Sequence, residues 1–442
     1  MTSGIRSLRG VGPAVLRVSA GMVLAALVFS PVAARAEDSV QRWNEIAART
    51  AASPPALGGT SPFNQARVLS IVQLAVFEAV NAITGDYEPY LNPATTAPAG
   101  ANVDAAVIIA AHKTLTTYFT APAIVAALDA ARDTDLGAIT DGPAKTAGRG
   151  VGMAAANAMI ALRATDGSAP PTTFPPSSTL AGDYQLTTGC AAGVFYNWQN
   201  VMPFGIESAS DYLLPPPPAL TSNEYLKAYN DVKAFGSASA SSSDRPADRT
   251  EVARLYAATS PSFAVASAAR QISTAKGKSL SENARDYALI QMAINDALVA
   301  SFMNKYHHNF WRPETAIRNG ASDGNNQTDG DAGFTTFITT PCFPSYPSNH
   351  ASGTGGGLEA MRRLYGAAGH EITITNNVPA LGTLPATTIT KHYTQLKQIA
   401  DDVDDARVYG GIHYWFDQTS GNVLGRGVAT EVVKNNLRPV HP

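Results

Sequence analysis

Residues 62–82 read PFNQARVLSIVQLAVFEAVNA. Apolar positions recur every three or four residues with no breaker past the opening proline, which predicts a buried helix, apolar on most of its faces. The same period returns at 102–118, 122–132, 144–163, 249–258, 281–305, 350–365, 395–408 and 421–436, while alternating strand-like runs are scarce. An all-α fold follows. Starts are marked by capping residues: Ser281 stands before Glu282, and Asp104 before an apolar run.

The chain has 442 residues, 45% of them hydrophobic and 15% charged, enough for a large core and unlike a disordered or collagen-like composition. Its net charge of −3 argues against the basic face that nucleic acid would require. Arg6, Arg9 and Arg17 precede an apolar run at 21–29, and Ala34-Arg-Ala36 then gives a small-x-small cleavage pattern before Glu37. Residues 1–36 are therefore expected to be a signal peptide, and the chain to be exported to the periplasm or outside the cell. Taking away the four arginines of 1–36 leaves 28 basic against 35 acidic residues, a balance of −7. Every later apolar stretch is interrupted by a charged residue, so no membrane span is expected after cleavage. The Pro-, Ser- and Gly-rich stretches at 164–186, 215–218 and 237–243 read as connections inside one helical domain over 37–442. Cys190 and Cys342 are too few for a disulfide scaffold; in an oxidising compartment they could pair or stay as two buried thiols.

Three basic clusters carry the chemistry. In Lys305-Tyr-His-His-Asn-Phe-Trp-Arg312-Pro313 the cations are seven apart, close to two helical turns, which would project both from one face. A solvated basic face is the plain alternative; the flanking Phe310, Trp311 and Pro313 point instead to buried cations, which need an anion. In Pro344-Ser-Tyr-Pro347-Ser348-Asn349-His350, Ser348 is placed as an N-cap, and the helix-start amides behind it suit an oxyanion. His350 falls in the first turn, within reach for proton transfer. In Ala406-Arg407-Val-Tyr-Gly410-Gly411-Ile-His413-Tyr-Trp-Phe-Asp417, a continuous helix would part Arg407 from His413, but the two glycines can break it and let both converge. A helix C-cap followed by a core histidine is the other reading. Together the clusters supply cations, a hydroxyl, helix-start amides and two histidines, the inventory of a site for a tetrahedral or trigonal-bipyramidal oxyanion. The long Gly/Asp/Asn/Thr-rich loop at 319–346 leads into the second cluster, and loops of that length are uncommon unless functional.

The order K-x6-R-P, P-S-x-H and R-x5-H resembles the signature of the vanadium-dependent haloperoxidases and of the acid phosphatases of the type 2 phosphatidic acid phosphatase superfamily. The stretches 284–318 and 406–417 and the helix at 66–84 look like the bacterial haloperoxidase branch. The resemblance implies a helical bundle of that type and vanadate as cofactor, with the oxyanion site in 296–417. Lys305, Arg312 and Arg407 would neutralise the oxyanion, and Ser348 and the backbone N–H of Asn349 would hydrogen-bond it. His413 would be bonded to the vanadium, or would be the phosphohistidine nucleophile of a phosphatase. His350 would be the general acid/base and Lys305 would polarise bound peroxide. Hydrogen peroxide and a halide are the implied substrates, with room for an organic acceptor, and a homodimer is implied by analogy alone. Phe343, five before Ser348, leans towards chloride chemistry; Phe302, where the chloroperoxidase pattern has Trp, belongs to the same expected halide pocket. Asn349 replaces the glycine of P-S-G-H, adding bulk beside the oxyanion while tolerating left-handed backbone. Ala406 replaces the usual serine. An exported phosphomonoesterase, and an oxyanion-binding protein without turnover, are the rival readings.

Overall fold

The structure is a computed structural model that describes residues 37–54, 56, 58–176 and 178–440, all within one compact unit. The expected signal peptide at 1–36 lies outside the described residues. In chain order the helices are α1 (Ser39–Ala51), α2 (Pro62–Thr84), α3 (Val103–Tyr118), α4 (Pro122–Gly137), α5 (Pro143–Leu162), α6 (Asn223–Phe235), α7 (Ala247–Ala257), α8 (Pro261–Ala275) and α9 (Leu280–His308). They continue with α10 (Pro313–Arg318), α11 (Asn349–Tyr365), α12 (Leu396–Val408) and α13 (Trp415–Asn435). The fold is mainly α, as its periodicities dictate. Between α11 and α12 it carries one feature those periodicities do not announce, an antiparallel hairpin of β1 (Ala368–Val378) and β2 (Thr387–Gln395), with Thr373 opposite His392. The hairpin packs on α7, α8 and α12.

Two helices form the centre. α9 packs against α2, α11 and α13, and α2 packs in turn on α3 and α5. α2 corrects the expectation that no stretch after residue 36 could span a bilayer. By length and composition it is long and apolar enough to cross a membrane despite Arg67 and Glu78, but 89% of its most apolar window is buried inside the protein. Both charges are answered there: Arg67 Nε donates to Asp166 at 2.7 Å, and Glu78 accepts from the Leu91 amide at 3.1 Å.

The caps are real but sit elsewhere than expected. Ser279, not Ser281, caps α9, closing a capping box with Glu282; Asn102, not Asp104, caps α3, and Asp104 lies in its first turn. In each case the true cap is the residue whose extended backbone lets a side-chain oxygen reach the free N–H three positions on. Cys190 and Cys342 are disulfide-bonded.

Candidate functional site

α9 brings Lys305 in from one side. The expected continuous helix through Arg312 does not exist: α9 ends at His308, Asn309 takes the left-handed conformation as its C-cap, and Arg312 is the N-cap of α10. A sharp turn, not helical periodicity, therefore aims Arg312 where Lys305 points. Both cations are fully buried and are held by the irregular segment before α11. Lys305 Nζ donates to the carbonyls of Pro344 and Ser345 at 2.8 and 2.7 Å, and Arg312 Nε to that of Phe343 at 2.8 Å. Phe343 lies against both, its ring centroid 5.2 Å from Nζ and 5.0 Å from the guanidinium carbon.

α11 supplies the second group. Ser348 is its N-cap and accepts from Ala351 N at 3.3 Å, leaving its own O–H to donate; Asn349 is its first residue and His350 follows in its first turn. Asn349 has no positive φ, so its tolerance of left-handed backbone plays no part here. α12 supplies Arg407, whose Nη1 donates to the Tyr256 carbonyl at 3.3 Å. The helix stops one residue later, Gly411 takes φ +82°, and His413 lies on the connector to α13. A Cβ at Gly411 would sit 2.3 Å from the Gly236 carbonyl oxygen, so this break needs glycine for space as well as for φ.

His413 is held at both nitrogens. Nδ1 is 2.7 Å from Asp417 Oδ2, and that same oxygen accepts from Ser345 Oγ at 2.6 Å and Tyr414 N at 3.1 Å. A carboxylate there keeps the proton on Nδ1 and leaves Nε2 with its lone pair, which accepts from Arg312 Nη1 at 3.0 Å. Sequence reasoning assigned no role to Asp417 or Ser345; the His413-to-Asp417 spacing of four at a helix start was the available signal.

The electrostatics of this group are one-sided. Burial pushes the Lys305 ammonium far below its usual range, and Arg312 and Arg407 push the same way against Asp417. Burial lowers Arg312 to about 10, opposed by Asp417, and Arg407 to about 9, with Arg312 adding to the effect. His413 and His350 are both driven well down, first by burial and next by Arg312 and Arg407 respectively. Four side-chain atoms of this group are buried without a hydrogen-bond partner: the donors Arg312 Nη2, Arg407 Nε and Asn349 Nδ2, and the acceptor Asp417 Oδ1. Three of the four are donors. Unpaired buried donors among crowded cations are what an absent oxyanion would satisfy, so the residues present fit vanadate or phosphate.

A cavity of about 510 Å³ opens onto this group. Asn349, His350, Arg407 and His413 form its polar end; Phe63, Phe195, Phe343, Leu298 and Ile338 supply much of the apolar wall, with Val378 and Leu381 at the hairpin's tip. Phe343 is thus where a halide pocket was expected. Phe302 is not part of the wall: it is fully buried, 4.7 Å from the Phe63 ring and 5.5 Å from the Phe343 ring, and supports them from behind. Arg254 was missed; its Nη2 donates to the Pro379 carbonyl at 3.0 Å and also to that of Pro385, holding the loop between the strands against the cavity. Asp296 stays away from the cations, where its carboxylate accepts the amides of Phe204, Gly205 and Ile206. His307 is exposed, and His308 is 3.0 Å from the Leu214 carbonyl.

Residues 285–442 match the VCPO second helical-bundle domain. This part of the chain is therefore similar in sequence to a vanadium chloroperoxidase helical bundle. Its boundaries take in Lys305, Arg312, Ser348, Asn349, His350, Arg407 and His413. Vanadium chloroperoxidase from Curvularia inaequalis is 28% identical over 187 residues, which span 35% of this chain and 30% of that relative. The fold likeness reaches further than the bundle. A bacterial vanadium-dependent iodoperoxidase superposes with a TM-score of 0.71 at 21% identity, covering 91% of this chain and 96% of its own. The holo form of a bacterial vanadium-dependent chloroperoxidase does so with a TM-score of 0.71 at 15% identity, covering 90% and 97%. The haloperoxidase-type fold therefore extends across nearly all of the chain.

Proposed function

We propose that this protein is an exported vanadium-dependent haloperoxidase, oxidising a halide with hydrogen peroxide to hypohalous acid at a vanadate held by Lys305, Arg312, Ser348, Asn349, Arg407 and His413. The observation that carries the reading is the buried cluster of cations and unpaired donors at the foot of an apolar cavity. Bound vanadate would supply a Lewis-acidic centre that activates peroxide without changing its own oxidation state. The chain's residues supply the rest. Lys305, Arg312 and Arg407 offset the anion's charge and draw electron density from its oxygens. His413 would hold the metal through Nε2, its ring oriented by Asp417 at Nδ1. Burial beside Arg407 keeps His350 neutral, so an unprotonated ring nitrogen is ready to take a proton from incoming peroxide. Phe343 shields the cations from water, and the cavity has room for an organic acceptor beyond it. Export is supported by the pattern of residues 6–36 and by the Cys190 to Cys342 disulfide.

A phosphomonoesterase is the second reading, favoured by one observation: a histidine with its Nδ1 proton held by Asp417 and its Nε2 unprotonated is also a competent nucleophile toward phosphorus once the Arg312 guanidinium turns from Nε2 to the anion. Monochlorodimedone halogenation with chloride, bromide and iodide, before and after orthovanadate loading, separates the two alongside p-nitrophenyl phosphate hydrolysis by the unloaded protein. Vanadate-dependent halogenation lost in His413→Ala is expected. Phosphate ester turnover inhibited by vanadate, with no halogenation, would replace this reading by the phosphatase.

A further inference from the structure

Asn349 stands where the resembled pattern has glycine, and its backbone gives no reason for either residue, since it has no positive φ at the first position of α11. Its side chain is 4% exposed and is gripped at one end only: Ser301 Oγ donates to Oδ1 at 2.6 Å. Ser301 lies one helical turn before Lys305 on α9, so the amide is anchored to the helix face that delivers Lys305. Its other end, Nδ2, has no hydrogen-bond partner, and Asn349 shares the polar end of the cavity with His350, Arg407 and His413. The unpartnered atoms of its neighbours Arg312 and Arg407 are donors too. A bulky side chain that merely filled a glycine's space would not need a hydroxyl to orient it.

We propose that the side chain of Asn349 adds a donor of its own to the oxyanion site, its Nδ2 donating to an oxygen of the bound anion and Ser301 acting as the positioning residue that turns the amide the right way. This rests on the oxyanion-site reading above and reverses the expectation that the side chain only obstructs. The amide adds a further neutral donor to a cradle whose side chains are mostly cations, so it raises affinity without adding positive charge. The site is thereby tuned to hold the anion more tightly than the same cradle with glycine.

The test is binding, not turnover: titration calorimetry of the full chain with inorganic phosphate and with orthovanadate, supported by the ⁵¹V chemical shift of bound vanadate. Asn349→Gly is expected to weaken both anions by about tenfold to a hundredfold, the range for a lost hydrogen bond to a charged group. Ser301→Ala should give a smaller loss in the same direction, and Asn349→Asp a larger one, because it sets an acceptor and a negative charge against the anion. The bound ⁵¹V resonance should move in Asn349→Gly. Unchanged or tighter binding by Asn349→Gly would overturn the proposal; if that variant does not fold, Asn349→Ala and Ser301→Ala answer the same question. Arg407→Ala separates the two layers of inference. If wild type binds and Arg407→Ala abolishes binding, while Asn349→Gly binds as well as wild type, only the role of Asn349 falls. If wild type binds neither anion, or Arg407→Ala has no effect, the oxyanion site falls and this proposal with it.

Discussion

Asp417 decides which nitrogen of His413 keeps a lone pair. With Nδ1 2.7 Å from Oδ2, the proton stays on the side away from Arg312. Asp417→Asn can still hold the ring, but an amide that donates to Nδ1 pushes the proton to Nε2, the wrong tautomer for a ligand or a nucleophile. Vanadate affinity should fall about 10- to 100-fold, the usual effect of removing the group that orients a metal-bound histidine; vanadate titration of the variant checks this, and unchanged affinity would detach Asp417 from the site. At this scale much was legible. Lys305, Arg312, Ser348, His350, Arg407 and His413 stand out because cations and histidines among prolines, glycines and aromatics have few other uses. Asp417, Ser345 and Ser301 do not stand out, since an acid or a hydroxyl on a helix is ordinary until its partner is known.

At the scale of elements, the close approach of α11 and α13 is set by small residues. A Cβ at Gly425 would lie 2.3 Å from the Ser352 carbonyl oxygen and 2.6 Å from Gly356 N, both backbone, so neither can yield without moving a helix. Gly427, two residues on and exposed, would meet only Tyr212 at 3.5 Å. Gly425→Ala should therefore cost about 1–3 kcal/mol or more, while Gly427→Ala should gain up to about 1 kcal/mol from helix propensity. Urea unfolding of the pair reads both signs. α12 and α13 also share a titrating contact: Asn422 Nδ2 donates to both oxygens of Asp404, at 3.0 and 2.8 Å. Burial nevertheless pushes the Asp404 carboxyl up to about 7, with Asn422 opposing and Asp401 and Asp405 adding to it. An acid whose pKa is raised on folding binds more protons folded than unfolded, so its ionisation costs stability as pH rises from about 4 through 7. Asp404→Asn should be more stable than wild type at pH 8 and level with it at pH 4, measured as Tm against pH. Nine helical segments were readable from periodicity. α1, α6, α8 and α10 were not assigned, and α4 and α13 run longer than expected: short, alanine-rich or polar helices draw their stability from neighbours rather than from a clear stripe. The hairpin escaped because its Thr- and Asn-rich strands bury few positions.

Across the whole molecule, the Cys190 to Cys342 disulfide joins positions 152 apart and sits directly before Phe343, whose carbonyl receives Arg312. By the chain-entropy account such a link is worth up to about 5 kcal/mol. Reduction should lower Tm and also weaken phosphate or vanadate binding, because the segment that holds Arg312 loses its tether. A Cys190→Ser, Cys342→Ser double variant should show both effects and no response to reductant; wild-type anion affinity that survives reduction would confine the disulfide to stability. The sequence by itself determined the helical class, the residues that could neutralise an oxyanion and the glycines that let the chain turn at 410–411, because periodicity, charge and backbone freedom are local properties. Tertiary structure decided how those residues meet. Lys305 and Arg312 converge through a turn between α9 and α10 rather than along one helix, Phe302 lies behind the cavity wall rather than in it, and Ser301 turns the Asn349 amide. The first is fixed by the carbonyls of Phe343, Pro344 and Ser345 that receive both cations, and the other two by contacts between elements distant in the chain; direction in space is what spacing along a chain leaves undefined.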